Sequence, residues 1–145
     1  MMGRYMEHKA SGDFLMIKLD DGEDVHSSLK SICEEHGFRM GWVHSGIGIL
    51  RDFVLGYFTG KEYLKKRFEE SHELLSMTGT VTLDADAPIH LHCSVASKEY
   101  QVFGGHLFEG TVTNLNEIMI QRAPPGISLG RVFNPNTNNY ELKVE

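Results

Sequence analysis

Hydrophobic and polar positions alternate with a period of two along most of this 145-residue chain. One stretch departs clearly to the longer period of an amphipathic helix. Val25, Leu29, Ile32, Cys33 and His36 recur at helical spacing, Asp24 is placed to cap the first turn, and Gly37 suits a left-handed stop. Within this helix His26 reads as a surface residue and His36 as a partner for the negative end of the helix dipole. Strands are predicted before it over Arg4 to Lys9 and over Phe14 to Leu19, the second bounded by Gly12-Asp13 and Asp20-Asp21-Gly22.

After the helix, Arg39 to His44 returns to strand, with Trp42 expected in the core. The segment Ser45 to Asp52 contains a G-x-G but no third glycine at dinucleotide-binding spacing, and Phe53 to Phe58 then reads as strand rather than helix. Glycines entering a strand mark a bulge or a tight packing point instead. Lys61 to Glu70 fits two patterns: Leu64 and Phe68 suit a helix, whereas Tyr63, Lys65 and Arg67 suit one face of a strand. Glu73 to Leu83 is a strand, with Leu75, Met77, Gly79, Val81 and Leu83 sharing a face. Asp84 to Pro88 forms a turn, and Val112 to Gln121 a further strand broken by Ala123-Pro124-Pro125-Gly126. Arg131 to Phe133 and Tyr140 to Val144 flank an Asn-rich turn. The expected architecture is a single α+β domain over residues 1–145, with a large, mostly antiparallel sheet and one main covering helix.

A hydrophobic content of 41% is enough for one core. Cys33 and Cys93 form no C-x-x-C and lie on apolar faces, as buried reduced thiols do. No basic-then-apolar leader and no run of ~20 apolar residues is visible, so the expectation is a cytoplasmic protein without membrane contact. The net charge of −6 disfavours phosphate neutralisation on DNA. The basic cluster of Lys61, Lys65, Lys66 and Arg67 is interleaved with Glu62, Glu69 and Glu70 and reads as a solvated face.

The chemistry concentrates between Pro88 and Leu107. His90, His92 and Ser94 fall on one face of a strand and Leu91, Cys93 and Val95 on the other. Ser97 to Tyr100 is a turn, Gln101 to Phe103 the returning strand, and His106 follows Gly104-Gly105. A hairpin of this kind brings the third imidazole beside the first two. Three neutral imidazoles converging on one point are the donor set of a zinc-type site with an open fourth position. An H-x-H by itself serves equally as a pair of ordinary hydrogen-bonded histidines; the G-G-H at hairpin distance favours metal.

The ordered motifs S-G-I-G-I-L-R-D (Ser45 to Asp52), L-G-Y-F (Leu55 to Phe58), H-E-L-L-S-M-T-G-T-V (His72 to Val81), H-L-H (His90 to His92) and G-G-H-L (Gly104 to Leu107) resemble the PPC domain, the plants and prokaryotes conserved family. The resemblance covers nearly the whole chain. It implies an α+β fold, assembly as a homotrimer, and a metal, typically zinc, on His90, His92 and His106. Plant members join the domain to AT-hooks, and prokaryotic relatives are described as predicted DNA-binding proteins. This chain has no R-G-R-P segment, so direct binding of duplex DNA is not expected; contact with nucleoprotein would run through protein partners.

Two functions follow from this reading. One is a metal-holding, trimeric binding or regulatory module. The other is a zinc-dependent enzyme, a lyase or hydrolase of a small metabolite, by analogy with acetolactate decarboxylase, whose fold and histidine arrangement are similar. An enzyme also needs a base or a substrate anchor, for which Arg51, Glu73 and His44 are the candidates.

Overall fold

The computed structural model describes residues 6–145. The strands are β1 (Glu7–Ser11), β2 (Phe14–Asp20), β3 (Met40–Phe58), β4 (Tyr63–Phe68), β5 (His72–Thr82), β6 (Ile89–Ala96), β7 (Val102–Arg122), β8 (Leu129–Asn134) and β9 (Asn139–Val144). The helix α1 spans Val25–His36. The predicted first strand begins at Arg4, outside the described residues, and is seen from Glu7 onward.

The local signals act where expected at α1. The Asp24 carboxylate accepts from the Ser27 amide at 2.9 Å, and Gly37 closes the helix at φ 71°. Val25, Leu29, Ile32 and Cys33 are buried against the sheet. Each large apolar side chain removed from water there contributes roughly 1.5–3 kcal/mol.

The main sheet has the order β1-β2-β7-β6-β5-β3-β4, with β7 also paired to β3, and its pairings are antiparallel. The ladders β3–β5, β5–β6, β6–β7 and β7–β3 therefore close a ring. This sheet, mostly antiparallel and covered by one helix among the described residues, agrees with the α+β expectation. Leu15, Ile118 and Ile120 of the sheet share one core with Leu29 and Ile32 of the helix. The hairpin β8–β9 forms a separate two-stranded sheet.

Several local expectations are corrected. The two strands expected between residues 39 and 58 are one 19-residue strand, Met40–Phe58, and the glycine segment lies within it. Register shifts between Val43 and Ser45 and between Gly48 and Leu50 bracket that segment, as bulges. Trp42 is only half-buried, because Gly41 and Val43 take the inward positions; its indole Nε1–H donates to His44 Nε2 at 3.1 Å. The ambiguous 61–70 segment is the edge strand β4, paired to β3. On β5 the face is not continuous. A register shift between Leu74 and Ser76 turns Leu75 outward, 46% exposed, while Leu74, Met77 and Val81 are buried.

Candidate metal centre

The strand alternation predicted for β6 holds: Leu91, Cys93 and Val95 are buried, whereas His90 and His92 are not. His92 is the direct cross-strand partner of His106 on β7. On the other side, β5 sets Thr80 opposite His90 and Thr78 opposite His92. Gly79 is required between them, since a Cβ there would stand 1.8 Å from the His90 carbonyl oxygen. The three ring centroids lie 5.0, 5.0 and 5.3 Å apart. Each ring offers one nitrogen within 4.8 Å of the other two.

His106 sits in an aromatic recess. Its partner on β3 is Gly56, where a Cβ would meet the Phe108 ring at 2.3 Å and the Tyr63 ring at 3.1 Å. With no side chain at Gly56, Phe108 packs on His106 at 4.2 Å between centroids and Tyr63 at 5.0 Å. The Tyr63 hydroxyl lies 3.5 Å from His106 Nδ1.

Burial, with the neighbouring Arg131, His92 and His26 charges, pushes His90 down to about 4. Burial likewise pushes His106 down to about 4, helped by the other histidines and Lys65. Both rings are therefore neutral at pH 7, the form that binds metal. Arg131 Nη2 donates to Thr80 Oγ1 at 2.6 Å and contacts His90 Nδ1 at 2.9 Å. A guanidinium only donates, so the His90 ring proton belongs on Nε2, which lies 3.1 Å from His92 Nε2. An ion on His90 Nε2 requires that proton on Nδ1, so in this tautomer the ion and the Arg131–His90 contact exclude each other. Thr80 remains as the other partner of Arg131. The three-imidazole donor set itself fits a zinc-type ion.

A cavity of about 290 Å³ adjoins His90 and His106, lined also by His26, Tyr63, Arg131 and Tyr140. His26 is thus not the surface residue expected. It borders the buried stripe, three residues before Leu29 and seven before Cys33, and that spacing was the available signal. Burial lowers its pKa against the opposing effect of Asp24, and its Nδ1 is buried without a hydrogen-bond partner among the described residues. Arg131 and Tyr140 come from the C-terminal hairpin, and nothing local in the sequence connects them with the histidines.

Of the other candidates, Arg51 and Glu73 lie elsewhere. Arg51 donates from Nη1 to Asp21 at 3.1 Å, the Val112 carbonyl at 3.0 Å and Thr113 at 3.1 Å. Glu73 is exposed on β5 opposite Ala96. Neither lines this cavity. His44 shares an open groove on the outer face with Trp42, Thr78, Thr80, His90 and His92, and contacts Gln121. A second group, His8, Glu35 and His36, gathers at the end of α1, with His8 Nδ1 2.7 Å from His36 Nε2. Both cysteines are buried free thiols, Cys33 pushed up to about 12 and Cys93 to about 11 by burial.

The fold is shared with solved structures. A plant- and prokaryote-conserved (PPC) protein of Pyrococcus horikoshii is 31% identical, with 99% of each chain covered and a TM-score of 0.80. A metal-containing protein of Archaeoglobus fulgidus is 29% identical, covering 96% of this chain and 98% of its own, at a TM-score of 0.78. A Bacteroides thetaiotaomicron protein, described as a candidate DNA-binding protein, superposes at a TM-score of 0.83 over 95% of this chain and 96% of its own; at 24% identity it shows the fold alone. Bifunctional GlmU proteins of two Synechococcus strains also match, the first at 27% identity over 131 residues, or 89% of this chain. The chain spans about a fifth of the length of these curated relatives, 20% in each. No helix among the described residues is long and apolar enough to cross a membrane. The family model of the Plants and Prokaryotes Conserved (PCC) domain, abbreviated PPC above, matches residues 6–124, and the chain belongs to that family.

Proposed function

We propose that this chain is a homotrimeric binding or regulatory module holding one divalent ion, zinc or a similar metal, on His90, His92 and His106. The observation that carries the reading is the convergence of one nitrogen from each ring within 4.8 Å. A bound ion would supply a Lewis acid with a position left for water or a ligand atom. The chain's own residues would hold two of the rings neutral and wall the site with Tyr63 and Phe108.

Trimer formation is supported by the outer sheet face. Phe14, Met16 and Ile47 are 46%, 54% and 49% exposed there, on the side of the sheet away from Leu15, Ile17 and Ile118. An apolar face of this kind suits burial against another copy.

Direct DNA binding is not part of this reading. Lys65, Lys66 and Arg67 of the basic cluster lie on an edge strand, where Lys65 and Lys66 alternate to opposite faces. Lys65 Nζ stands 4.1 Å from the Phe108 ring centroid and Lys66 Nζ 5.0 Å from that of Phe68, while Arg67 is paired with Glu109. Charges on an exposed edge also discourage unwanted strand pairing. Contact with nucleoprotein would therefore run through a protein partner.

The cavity beside the histidines favours a second reading, a zinc-dependent enzyme acting on a small metabolite. Metal analysis of protein purified without chelator, followed by a metabolite screen with and without chelator, tests both readings. About one equivalent of metal per chain is expected. Metal-free protein with no affinity for added zinc would remove both.

A further inference from the structure

The His26-to-Arg131 cavity contains a cation with unused hydrogen-bonding capacity. Arg131 donates from Nη2 to Thr80, and to His90 only while no ion occupies His90 Nε2, and its Nε is buried without a hydrogen-bond partner among the described residues. None of the ion pairs among those residues gives it a carboxylate. A buried guanidinium N–H left without an acceptor is costly, and an anionic group meeting it would offset that cost. His26, whose Nδ1 is buried without a hydrogen-bond partner among the described residues, and Tyr63 also line the cavity. Ile89, Leu107 and Phe108 give it an apolar stretch of wall, with Asn139 and Tyr140 beside it.

We propose that this cavity takes a small organic carboxylate, with Arg131 as its anion anchor and the carbon skeleton against Ile89, Leu107 and Phe108, beside the three histidines. The planar guanidinium fork matches a carboxylate in a two-point contact. A phosphate dianion fits less well, because among the described residues Arg131 is the one Lys or Arg lining the cavity and most of its wall is apolar. Arg131 is contributed by β8, beyond residues 6–124 matched by the family model. Ligand choice is thus assigned to the C-terminal hairpin, whereas metal binding is assigned to β6 and β7. The proposal names the ligand class of the metal site and rests on that reading only for the ion itself, not for the anchor.

The test uses the full-length, metal-loaded protein. Saturation-transfer NMR and calorimetry are run with straight-chain monocarboxylates of about two to five carbons, their primary amides and inorganic phosphate, a range set by the cavity volume. The carboxylates should bind, and the amides and phosphate about tenfold more weakly or not at all. Arg131→Met should lose carboxylate binding by about tenfold or more while keeping its metal, and Arg131→Lys should retain part of it. Unchanged carboxylate affinity in Arg131→Met, equal affinity for the amides, or tighter binding of phosphate would overturn the proposal. So would no binding of any carboxylate at millimolar concentration. Carboxylate binding lost in Arg131→Met, in a protein that carries no metal and has no affinity for added zinc, would uphold the anchor while removing the metal reading. Intact metal with no Arg131-dependent carboxylate binding would do the reverse. Arg131→Met must keep the wild-type melting temperature; should it unfold, His26→Gln and Tyr63→Phe provide the comparison at two other lining positions.

Discussion

His92 on β6 and His106 on β7 are direct cross-strand partners, 5.3 Å between ring centroids, and His90 stands 5.0 Å from both. Direct partners on one face are near neighbours by strand geometry, so these rings meet without any loop having to fold over them. An ion held there is fixed by ladder register, which removing one side chain does not disturb.

Metal content should therefore separate from folding. His92→Ala is expected to lose most of the bound metal, by about tenfold or more in affinity, with a melting temperature close to that of the wild type in chelator. The group at His8, Glu35 and His36 provides the control: His36→Ala should leave the metal content unchanged. Elemental analysis of both variants checks this, and the reverse result would move the site to the end of α1.

Assembly is read by sedimentation, which should report about three times the 16.4 kDa chain. A charge in the centre of the exposed apolar face, as in Ile47→Asp, should shift the protein toward monomer, because burying an unpaired carboxylate at an interface costs more than the apolar contact returns. A wild-type monomer at micromolar concentration would contradict the trimer.

Metal-free protein should lose stability as the pH falls from about 6.5 to about 4. His90 and His106 have folded values near 4 against an ordinary 6.5, so within this window the unfolded chain binds more protons than the folded one. Their contribution is whole above the ordinary value and is lost as the pH drops through the folded values. With solvent screening at these half-exposed rings, the loss is about 1 kcal/mol per ring. Denaturant titrations at pH 7 and pH 4.5 measure it, and His90→Gln should flatten the slope.

Thiol chemistry should be silent in the native state. Cys33 and Cys93 are buried and held near 12 and 11, so neither offers an accessible thiolate at pH 8. Ellman's reagent should titrate nothing until denaturant is added, and then both. Rapid native labelling would place a thiol in a more open or more basic environment than this fold gives it.

Duplex DNA should bind negligibly at physiological salt, given a net charge of −6 and a basic cluster divided between two faces of β4. A fluorescence anisotropy titration checks this. Sub-micromolar, salt-sensitive affinity abolished by Lys65→Glu with Lys66→Glu would instead make DNA the ligand.

What the sequence alone determined is what depends on neighbours along the chain. The Asp24 cap, the Gly37 stop and the buried stripe of α1 follow from helical period, and the placing of His90 and His92 on one face of β6 follows from strand alternation. The glycine pair before His106 marked where β7 returns to bring in the third ring. Tertiary structure alone decided the rest. Leu75 turns outward because a bulge on β5 resets the alternation, and Trp42 remains half-exposed because Gly41 and Val43 take the inner positions of β3. His26, Tyr63 and Arg131 belong to a helix, an edge strand and a C-terminal hairpin, and they share a cavity only after the β3–β7 ladder has closed the sheet. Local periodicity fixes which face a side chain takes within its own element. It carries no information on which distant element that face will meet, and the chemistry beside the three histidines depends on that meeting.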